Sequence, residues 1–401
     1  MKIIEGSITA PEGFKAGAVC SGVKKKGKRD IAIIYSEVKC QAAGVFTTNK
    51  VRAACVDITR KHLEDGQAQA IVVNSGNANA CTGERGVKDT LEMAGLTAKL
   101  LGISPEDVLV ASTGVIGVFM PMDKIRDGIK RAYEKLSREG GHEAALAILT
   151  TDLVTKEIAV EIEIDGQPVK IGAIAKGSGM IHPQMATMLA FITTDAAITA
   201  ECLREVIRSS ADISYNMISV DRDTSTNDMA LIMANGLAGN RIIDDPASPA
   251  FKRFKEAVDF VNISLAKMIA RDGEGATRLI EVKVVNAPDE KTARLIARSI
   301  VSSNLTKAAV FGKDANWGRI LAAAGYSGAD FDPYKVDVYL GEEKMAENGM
   351  GLVFDEDKAR QELEKDPVII KVDLKAGDFS ATAWGCDLSY EYVRINAEYR
   401  T

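Results

Sequence analysis

The sequence predicts a layered α/β fold in which helices and strands alternate along the chain. Two kinds of apolar segment indicate this class: short β-branched runs that end in glycine or another small residue, and longer stretches with apolar residues three and four positions apart. No internal repeat of roughly 20 to 50 residues is present, so solenoids and propellers are not expected. A chain of 401 residues can bury a large core, and we expect two or three packed subdomains.

Three strands and two helices are predicted before the middle of the chain. The strand segments are DIAIIYSEV (30–38), QAIVVNSG (69–76) and VLVASTGV (108–115). The helical segments, 87–102 and 122–141, carry periodic apolar residues and close on glycine, the usual C-terminal signal. Both helices are expected to pack on a sheet formed by the strands.

A β-hairpin is predicted around Asp165-Gly166, because apolar and polar residues alternate on both sides of this dipeptide. The segments that follow are predicted as a strand (187–196), two helices (198–214 and 249–273) and a further strand (277–287). The rest of the chain is rich in strand-like segments up to VRINAEYRT, so the C-terminus is predicted to belong to a sheet.

Composition narrows the class of protein. The net charge is -6 and the basic residues are scattered apart from Lys24-Lys25-Lys26, so no nucleic-acid partner is expected. Six dispersed cysteines without a C-x-x-C pair indicate neither a disulfide framework nor a structural metal. The N-terminal segment lacks an apolar signal core, and no run of about 18 apolar residues occurs. We therefore expect a soluble cytoplasmic protein with no membrane partner.

Several familiar catalytic motifs are missing from the chain. There is no phosphate-binding G-x-x-x-x-G-K-[ST], no dinucleotide-binding G-x-G-x-x-G after a strand and no H-E-x-x-H. With only His62, His142 and His182 available, a Ser-His-Asp triad has few places to find its base. His182 stands beside proline in a glycine-rich loop, where we interpret it as a structural hydrogen-bonding residue. The methionines at 180, 185 and 188 are interpreted as core filler rather than soft-metal ligands.

A threonine lies where a loop meets a strand, in GSGMIHPQMATMLAFITTDA (177–196). A threonine hydroxyl needs a base, and its own α-amine can serve once the preceding peptide bond is cut, because such an amine has a pKa of about 7.7 to 8.0. The hydroxyl of Thr187 could make that cut by attacking the Ala186 carbonyl, if the loop is strained and an oxyanion pocket is present. The alternative is an ordinary β-forming residue at a strand start.

Four other segments have the polarity of binding loops. In STGVIG (112–117) backbone N–H groups beside glycine can face an anion, although an ordinary strand-to-helix turn has the same pattern. NSGNANACTG (74–83) offers Asn74, Asn77 and Asn79 either to a substrate or to one another, and its length and polarity favour the wall of a binding site. SVDRDTSTNDM (219–229) and ARDGEGATR (270–278) fit ligand-binding loops or buried polar networks equally well.

Taken together with GKDANWGRI, these motifs resemble the ornithine acetyltransferase (glutamate N-acetyltransferase) family of arginine biosynthesis, and the resemblance runs from end to end. It implies a precursor that cleaves itself between Ala186 and Thr187 into an α chain, 1–186, and a β chain, 187–401. Thr187 then takes the acetyl group of N2-acetyl-L-ornithine as an ester and passes it to L-glutamate by a ping-pong route, giving ornithine and N-acetylglutamate.

The resemblance also implies roles for individual residues. Thr113 and Gly114 correspond to the oxyanion hole of the family. The substrate contacts of the family map onto Thr150, Lys176, Thr187, Glu274, Asn396 and Thr401. Thr151 is an alternative to Thr150, because the two threonines are adjacent. Lys176 suits a substrate carboxylate and Glu274 a substrate ammonium group.

Other properties follow from the same resemblance. The implied fold places its nucleophile as N-terminal-nucleophile hydrolases do, and the implied assembly is an α2β2 heterotetramer. No metal and no cofactor is expected. Some members also use acetyl-CoA and then act as amino-acid N-acetyltransferases, and we favour this bifunctional type, with acetyl-CoA as a second substrate.

Two other functions are compatible with the sequence. A self-processing aminopeptidase of the β-peptidyl type would share the nucleophile but release the acyl group to water. A non-catalytic amino-acid-binding protein would keep the loops without turnover and would remain a single chain.

Overall fold

The computed structural model of the protein describes residues 1–24, 27–182 and 188–398, and helices and strands alternate along them. The strands are β1 Lys2–Ile4, β2 Phe14–Val19, β3 Ile31–Phe46, β4 Gln67–Asn77, β5 Val108–Val115, β6 Lys156–Ile164, β7 Gln167–Lys176, β8 Leu189–Thr194, β9 Ile218–Ser219, β10 Met229–Ala234, β11 Leu279–Ala287, β12 Asp337–Leu340, β13 Glu343–Glu347, β14 Met350–Gly351, β15 Val368–Asp373 and β16 Phe379–Cys386. The helices are α1 Ala54–His62, α2 Gly83–Leu101, α3 Met122–Glu134, α4 Gly141–Ile148, α5 Ala200–Ile213, α6 Pro249–Arg271, α7 Glu290–Val301, α8 Asn304–Phe311, α9 Trp317–Gly325, α10 Glu356–Glu364 and α11 Tyr390–Glu398.

Nine of the described strands are connected in one sheet, in the order β1-β6-β7-β8-β10-β3-β4-β5, with β2 paired to β3. The long strand β3 joins two parts of this sheet. Its first residues pair with β2 and β4, its last six pair with β10, and its register with β4 shifts between Tyr35 and Cys40. A bulge of this kind bends a strand. As a result β4 and β5 share one apolar cluster with β8 and β10.

The second sheet has the order β14-β13-β12-β15-β11-β16-β9 among the described strands. Helix α6 contacts β6 and β7 of the first sheet and also β11 and β16 of the second, so it lies between the two sheets. Its buried residues, from Phe251 to Ala270, belong to the cluster that fills this layer. Helix α7 packs on β11 and β16. The order of layers confirms the predicted layered α/β class.

The periodic segments are confirmed in type, with shifted bounds. Strands β4 and β5, helices α5 and α6, and the hairpin of β6 and β7 form where they are predicted. The turn residues Asp165 and Gly166 have φ of 51° and 78°, the left-handed pair that a two-residue turn requires. Helix α2 begins at Gly83, four residues before the predicted start at 87. Helix α3 ends at Glu134, before the predicted end at 141.

One prediction at the C-terminus is wrong. β16 forms, but residues 390–398 are the helix α11 instead of a strand. This helix has no buried residue, so the aromatic and β-branched side chains that suggested a strand do not enter a sheet. None of the described helices is both long enough and apolar enough to cross a membrane.

Candidate active site

A cavity of about 490 Å³ lies where β5 and β7 end and where β8 and β10 begin. Six of the residues singled out in the sequence line it: Thr113, Gly114, Thr150, Lys176, Glu274 and Asn396. Thr151 lines it as well, so the structure does not choose between the two adjacent threonines. Further lining comes from Met188 and from Ser225, Thr226, Asn227 and Asp228. The fold thus gathers residues that lie far apart in the sequence, from Thr113 to Asn396, around one small volume.

The turn at the end of β5 is built around Gly114. This residue has φ of +134°, and a Cβ there would lie 2.4 Å from the backbone carbon of Gly76 and 2.5 Å from the nitrogen of Asn77. Only glycine allows two backbone segments to approach each other so closely. The parallel pairing of β4 with β5 shifts register at this point. The turn therefore keeps an irregular backbone, with Thr113 beside it, at the cavity wall.

Asn227 fastens the start of β10 to this turn. Its side-chain amide donates to the carbonyl of Ala78 at 2.6 Å and to that of Ser112 at 2.8 Å, and Asn227 is almost fully buried. Two buried hydrogen bonds between distant segments fix the two parts of the first sheet relative to each other. The two parts of the sheet that meet at the bend in β3 are therefore also joined at the cavity, by the hydrogen bonds of Asn227.

The asparagine-rich segment 74–83, which forms the end of β4 and the turn after it, does not line the cavity among the described residues. Asn74 donates to the carbonyl of Asn77 at 2.8 Å and accepts from the hydroxyl of Ser112 at 2.6 Å, while Asn79 donates to the carbonyl of Gly86 at 2.9 Å. These side chains bind one another and the backbone. The interpretation of this loop as a wall of the binding site is wrong, and its role is to support the turn at Gly114.

A buried charge network holds Lys176 at the cavity. Its ammonium lies 3.9 Å from the carboxylate of Asp152, which also accepts from Lys156 at 2.8 Å, and Lys156 reaches Asp272 at 2.6 Å. Burial alone would raise the pKa of Asp152, but the charges of Lys176 and Lys156 outweigh it and hold that pKa well below its usual range. Asp152 is therefore ionised, and it also accepts from the Thr150 N–H at 2.9 Å.

Glu274 supplies the negative charge that the cavity offers a ligand. Its carboxylate accepts from the side-chain amide of Asn396 at 2.8 Å, which ties α11 to the cavity. Gly179 lies directly against it, because a Cβ at that glycine would stand 2.4 Å from the Glu274 carboxyl carbon. The cavity thus holds a cationic Lys176 and an anionic Glu274, a pair suited to the two charges of an amino acid.

The described part of the loop before residue 183 is held by Asp221. Its carboxylate accepts from the N–H groups of Met180 at 2.6 Å and Ile181 at 2.9 Å. His182 meets the hydroxyl of Ser219 at 3.0 Å and does not line the cavity, which agrees with a structural role. Met188 is buried in the core as predicted, whereas Met180 is 41% exposed and lines the cavity, so the core-filler interpretation is wrong for Met180.

Asp228 was not singled out in the sequence, yet it lines the same cavity. It is 3% exposed, and its Oδ2 has no hydrogen-bond partner among the described residues. Burial raises the pKa of Asp228 well above its usual range, and a hydrogen bond from Ser225 and the nearby charge of Lys176 oppose this rise only in part. The sequence indicates a ligand-binding loop or a polar network for the whole segment SVDRDTSTNDM (219–229), and within it only the position directly before an apolar strand distinguishes Asp228.

Three predicted residues, Ala186, Thr187 and Thr401, lie outside the described residues. Met185, which the sequence interpretation assigned to the core, does so too. The chain is described again from Met188, whose carbonyl accepts from the N–H of Met229 at 3.0 Å. No group of three or more His, Cys, Asp or Glu suited to a metal ion occurs in the described ranges.

Comparison with known proteins gives a family for this fold and cavity. A protein-family model described as the ArgJ family matches residues 15–401. The arginine biosynthesis bifunctional protein ArgJ of Symbiobacterium thermophilum is 57% identical, and the alignment covers 100% of both chains. The protein of the same name from Caldanaerobacter subterraneus is 53% identical over 100% of both chains. A solved chain of the Bacillus halodurans protein has a TM-score of 0.51 and 45% identity, covering 52% of this chain and 98% of its own length.

Fold and cavity together define a layered α/β protein with a small cavity that presents a basic and an acidic side chain, Lys176 and Glu274, at the meeting point of strand ends. The chain belongs to the ArgJ family. The predicted family is thereby confirmed, and so is the prediction of an acetyltransferase of arginine biosynthesis.

Proposed function

We propose that Thr187 carries the acetyl group of N2-acetyl-L-ornithine as an ester and delivers it to L-glutamate. The observation that carries this proposal is the cavity itself: the described residues expected to bind the oxyanion and the substrate line one volume together with Met188, the neighbour of Thr187 in the chain. A threonine ester splits one difficult acyl transfer into two easier steps, and one pocket can serve ornithine and glutamate in turn.

The proposed first half-reaction uses the turn at Gly114. When the Thr187 hydroxyl attacks the acetyl carbonyl, negative charge develops on the carbonyl oxygen, and the backbone or hydroxyl donors at Thr113 and Gly114 are the proposed partners of that charge. Removal of one such donor typically costs about 2.7 to 4 kcal/mol of transition-state stabilisation. The α-amine of Thr187 takes the hydroxyl proton and returns it to the leaving amine of ornithine.

The charges of the cavity provide the proposed orientation of the substrate. Lys176 faces the substrate carboxylate, and Glu274 with Asn396 faces the substrate ammonium group. Thr150 or Thr151, and the terminal Thr401, complete the set of polar contacts. Both ornithine and glutamate carry an α-carboxylate, so Lys176 can serve both half-reactions.

Self-cleavage at Ala186-Thr187 belongs to the same proposal. The solved Bacillus halodurans chain supports it, because that chain is almost fully matched yet covers about half of this one. A precursor that is cut near its middle yields chains of such a length. We further expect an α2β2 assembly in the cytoplasm, placement of the nucleophile as in N-terminal-nucleophile hydrolases, and no cofactor.

Acetyl-CoA is proposed as a second acetyl donor. The curated relatives are named bifunctional proteins, which supports two activities. An assay with acetyl-CoA and glutamate, without acetylornithine, tests this part alone. Absence of turnover in that assay would leave a monofunctional enzyme.

The experiment for the main proposal is a product assay with the purified protein. N-acetylornithine is supplied with and without glutamate, and ornithine, N-acetylglutamate and free acetate are measured. Transfer predicts N-acetylglutamate in amounts equal to ornithine and parallel lines in double-reciprocal plots, as ping-pong kinetics require. Acetate without N-acetylglutamate would indicate a hydrolase of the aminopeptidase type, and binding without any product would indicate a binding protein.

A further inference from the structure

The two opposite charges of the cavity stand on backbone segments that are bonded to each other. The N–H of Glu274 donates to the carbonyl of Ser178 at 3.1 Å, and the hydroxyl of Ser178 donates to the carbonyl of Asp272 at 2.7 Å. Ser178 follows Lys176 closely in the chain, and Asp272 closely precedes Glu274. The separation of the Lys176 ammonium from the Glu274 carboxylate therefore depends on how these two segments are held.

Asp152 holds the first of the two segments from a position behind the cavity wall. Its side chain is fully buried and does not line the cavity. Its carboxylate accepts from the N–H of Gly177 at 2.6 Å and from the N–H of Thr150 at 2.9 Å, and the ammonium of Lys176 lies 3.9 Å away. Thr150 and Lys176 do line the cavity, so one buried carboxylate fixes two of the proposed substrate contacts.

Lys156 connects Asp152 to the second segment. Its fully buried ammonium lies 2.8 Å from the carboxylate of Asp152 and 2.6 Å from that of Asp272, which also accepts from the N–H of Leu153 at 3.0 Å. Removing one partner from such an arrangement leaves an unpaired buried charge, which proteins tolerate poorly. The two segments are thus joined by hydrogen bonds and also by a buried chain of charges, Lys176-Asp152-Lys156-Asp272.

Lys176 keeps donors for a ligand although it belongs to this chain of charges. Its side chain is only 9% exposed, and the carboxylate of Asp152 supplies the opposite charge that a buried ammonium needs. The 3.9 Å between the two groups is longer than a hydrogen bond, so the ion pair leaves the three N–H donors of the ammonium for other partners. A substrate carboxylate in the cavity is such a partner.

We propose that Asp152 is a positioning residue for acetyl transfer, an inference that rests on the proposed function. Without touching the substrate, it holds Thr150 and the ammonium of Lys176 in place, and through the buried chain of charges it fixes the segment that carries Glu274. Binding of a substrate α-carboxylate therefore depends on Asp152, whereas the acyl-transfer steps at the nucleophile do not use it.

The experiment measures acetyl transfer from N-acetylornithine to glutamate by Asp152→Asn. An amide does not supply the negative charge that pairs with an ammonium, so KM for N-acetylornithine is expected to rise by about tenfold to a hundredfold, the usual loss for a hydrogen bond to a charged group. The value of kcat should stay within about threefold, since a loss of uniform binding raises KM alone.

The α-carboxamide of N-acetylornithine gives a readout that a merely structural role would not move. The wild type should prefer the carboxylate to the carboxamide in kcat/KM, because the Lys176 ammonium pairs with a charge. Asp152→Asn should lose most of this preference. A variant that is only less stable would lose activity towards both substrates equally.

Lys176→Met tests whether Asp152 acts through Lys176. Two residues that act on one contact are not additive, so the double variant should raise KM by much less than the product of the two single effects. A rise equal to that product would show that Asp152 acts independently of Lys176 and would overturn the inference.

Asp337 provides the matched control in the second sheet. It is 2% exposed, lies 2.6 Å from the ammonium of Lys375 and 2.9 Å from that of Lys344, and accepts from the N–H of Asn348 at 3.0 Å. It belongs to β12 and does not line the cavity. Asp337→Asn therefore also removes a buried carboxylate between two lysines, yet its KM and its preference for the carboxylate should equal those of the wild type.

Circular dichroism and mass spectrometry establish whether Asp152→Asn is folded and cut. If it is not, Asp272→Asn decides, because it retains the pair of Lys156 with Asp152 but loosens the segment of Glu274, and its KM should rise too. A KM within about twofold of the wild-type value in the deciding variant would overturn the inference. Equal use of carboxylate and carboxamide by the wild type would instead remove the proposed role of Lys176, and absence of transfer by the wild type would remove the proposed function.

Discussion

Gly114 occupies a position where a single methyl group cannot be accommodated. Because an added Cβ would meet the backbone of Gly76 and Asn77 at about 2.5 Å, Gly114→Ala must displace either the end of β4 or the end of β5. The expected result is loss of stability by about 1–3 kcal/mol and a fall in kcat of at least a hundredfold, since the proposed oxyanion donors move. Thermal unfolding and steady-state acetyl transfer measure the two effects.

Gly95→Ala provides the control for this substitution. Gly95 lies inside α2, where an added Cβ would meet no described atom within 4 Å, and alanine has a higher helix propensity than glycine. Its activity should equal that of the wild type. Full activity of Gly114→Ala would contradict the proposed role of the turn.

His182 should make the folded protein sensitive to acid. Burial, together with the charges of Arg298 and Arg222, lowers the pKa of His182 to about 4, whereas an unfolded histidine titrates near 6.5. Below about pH 6.5 the unfolded chain takes up a proton that the folded chain refuses, so the free energy of unfolding falls as pH drops towards 4. In His182→Gln this part of the decline should be absent. A melting temperature that falls equally in both proteins would contradict the expectation.

Residues at the cavity differ in how far sequence could reveal them. Thr113, Gly114, Lys176 and Glu274 could be assigned to one site only through the family resemblance of the motifs around them, because those motifs taken alone also fit ordinary turns and polar networks. The structure brings the four residues to one cavity. Asp228 could not be assigned to it from the sequence, because its lack of a partner depends on the contacts that surround it in three dimensions.

Among the elements, α11 is the one that sequence reasoning misassigned. Its Tyr, Val and Ile residues have strand propensity, but the helix lies on the surface and buries none of them. Strand propensity reflects the fit of a side chain to a half-buried sheet surface, and no such surface is available here. The bend of β3 could not be predicted from the sequence either, because it depends on the pairing of the first part of the strand with β4 and of its last residues with β10.

The position of α11 leads to a prediction for the C-terminal element. Removal of residues 390–401 eliminates the Asn396 contact to Glu274 and the proposed Thr401 contact, while no buried side chain of α11 is lost. We expect KM for N-acetylornithine to rise by about tenfold to a hundredfold, equivalent to about 1.4–2.8 kcal/mol, with self-cleavage retained.

Deletion of Thr401 alone separates the two contacts in the same kinetic assay. It should raise KM by less than the full truncation. An unchanged KM in the full truncation would contradict a binding role for this end of the chain.

At the scale of the whole molecule, the proposed cut divides the chain but not the fold. β8 follows the cut in sequence and pairs with β7, which precedes it, and with β10. The two chains therefore share one sheet and one apolar cluster.

This arrangement predicts that the two chains remain together after cleavage. They should elute as one species in native size-exclusion chromatography, with the mass of an α2β2 assembly, and separate only under denaturing conditions. A native mass equal to that of either chain alone would contradict this expectation.

The central claim is that Thr187 becomes an N-terminal nucleophile and carries the acetyl group. The most direct test is an intact mass spectrum under denaturing conditions after incubation with N-acetylornithine alone, with Thr187→Ala as the control. The account predicts chains 1–186 and 187–401, the second heavier by one acetyl group that glutamate removes, and an uncut, unacetylated variant. A wild-type protein that remains a single chain, or a 187–401 chain that never gains an acetyl group, would contradict it.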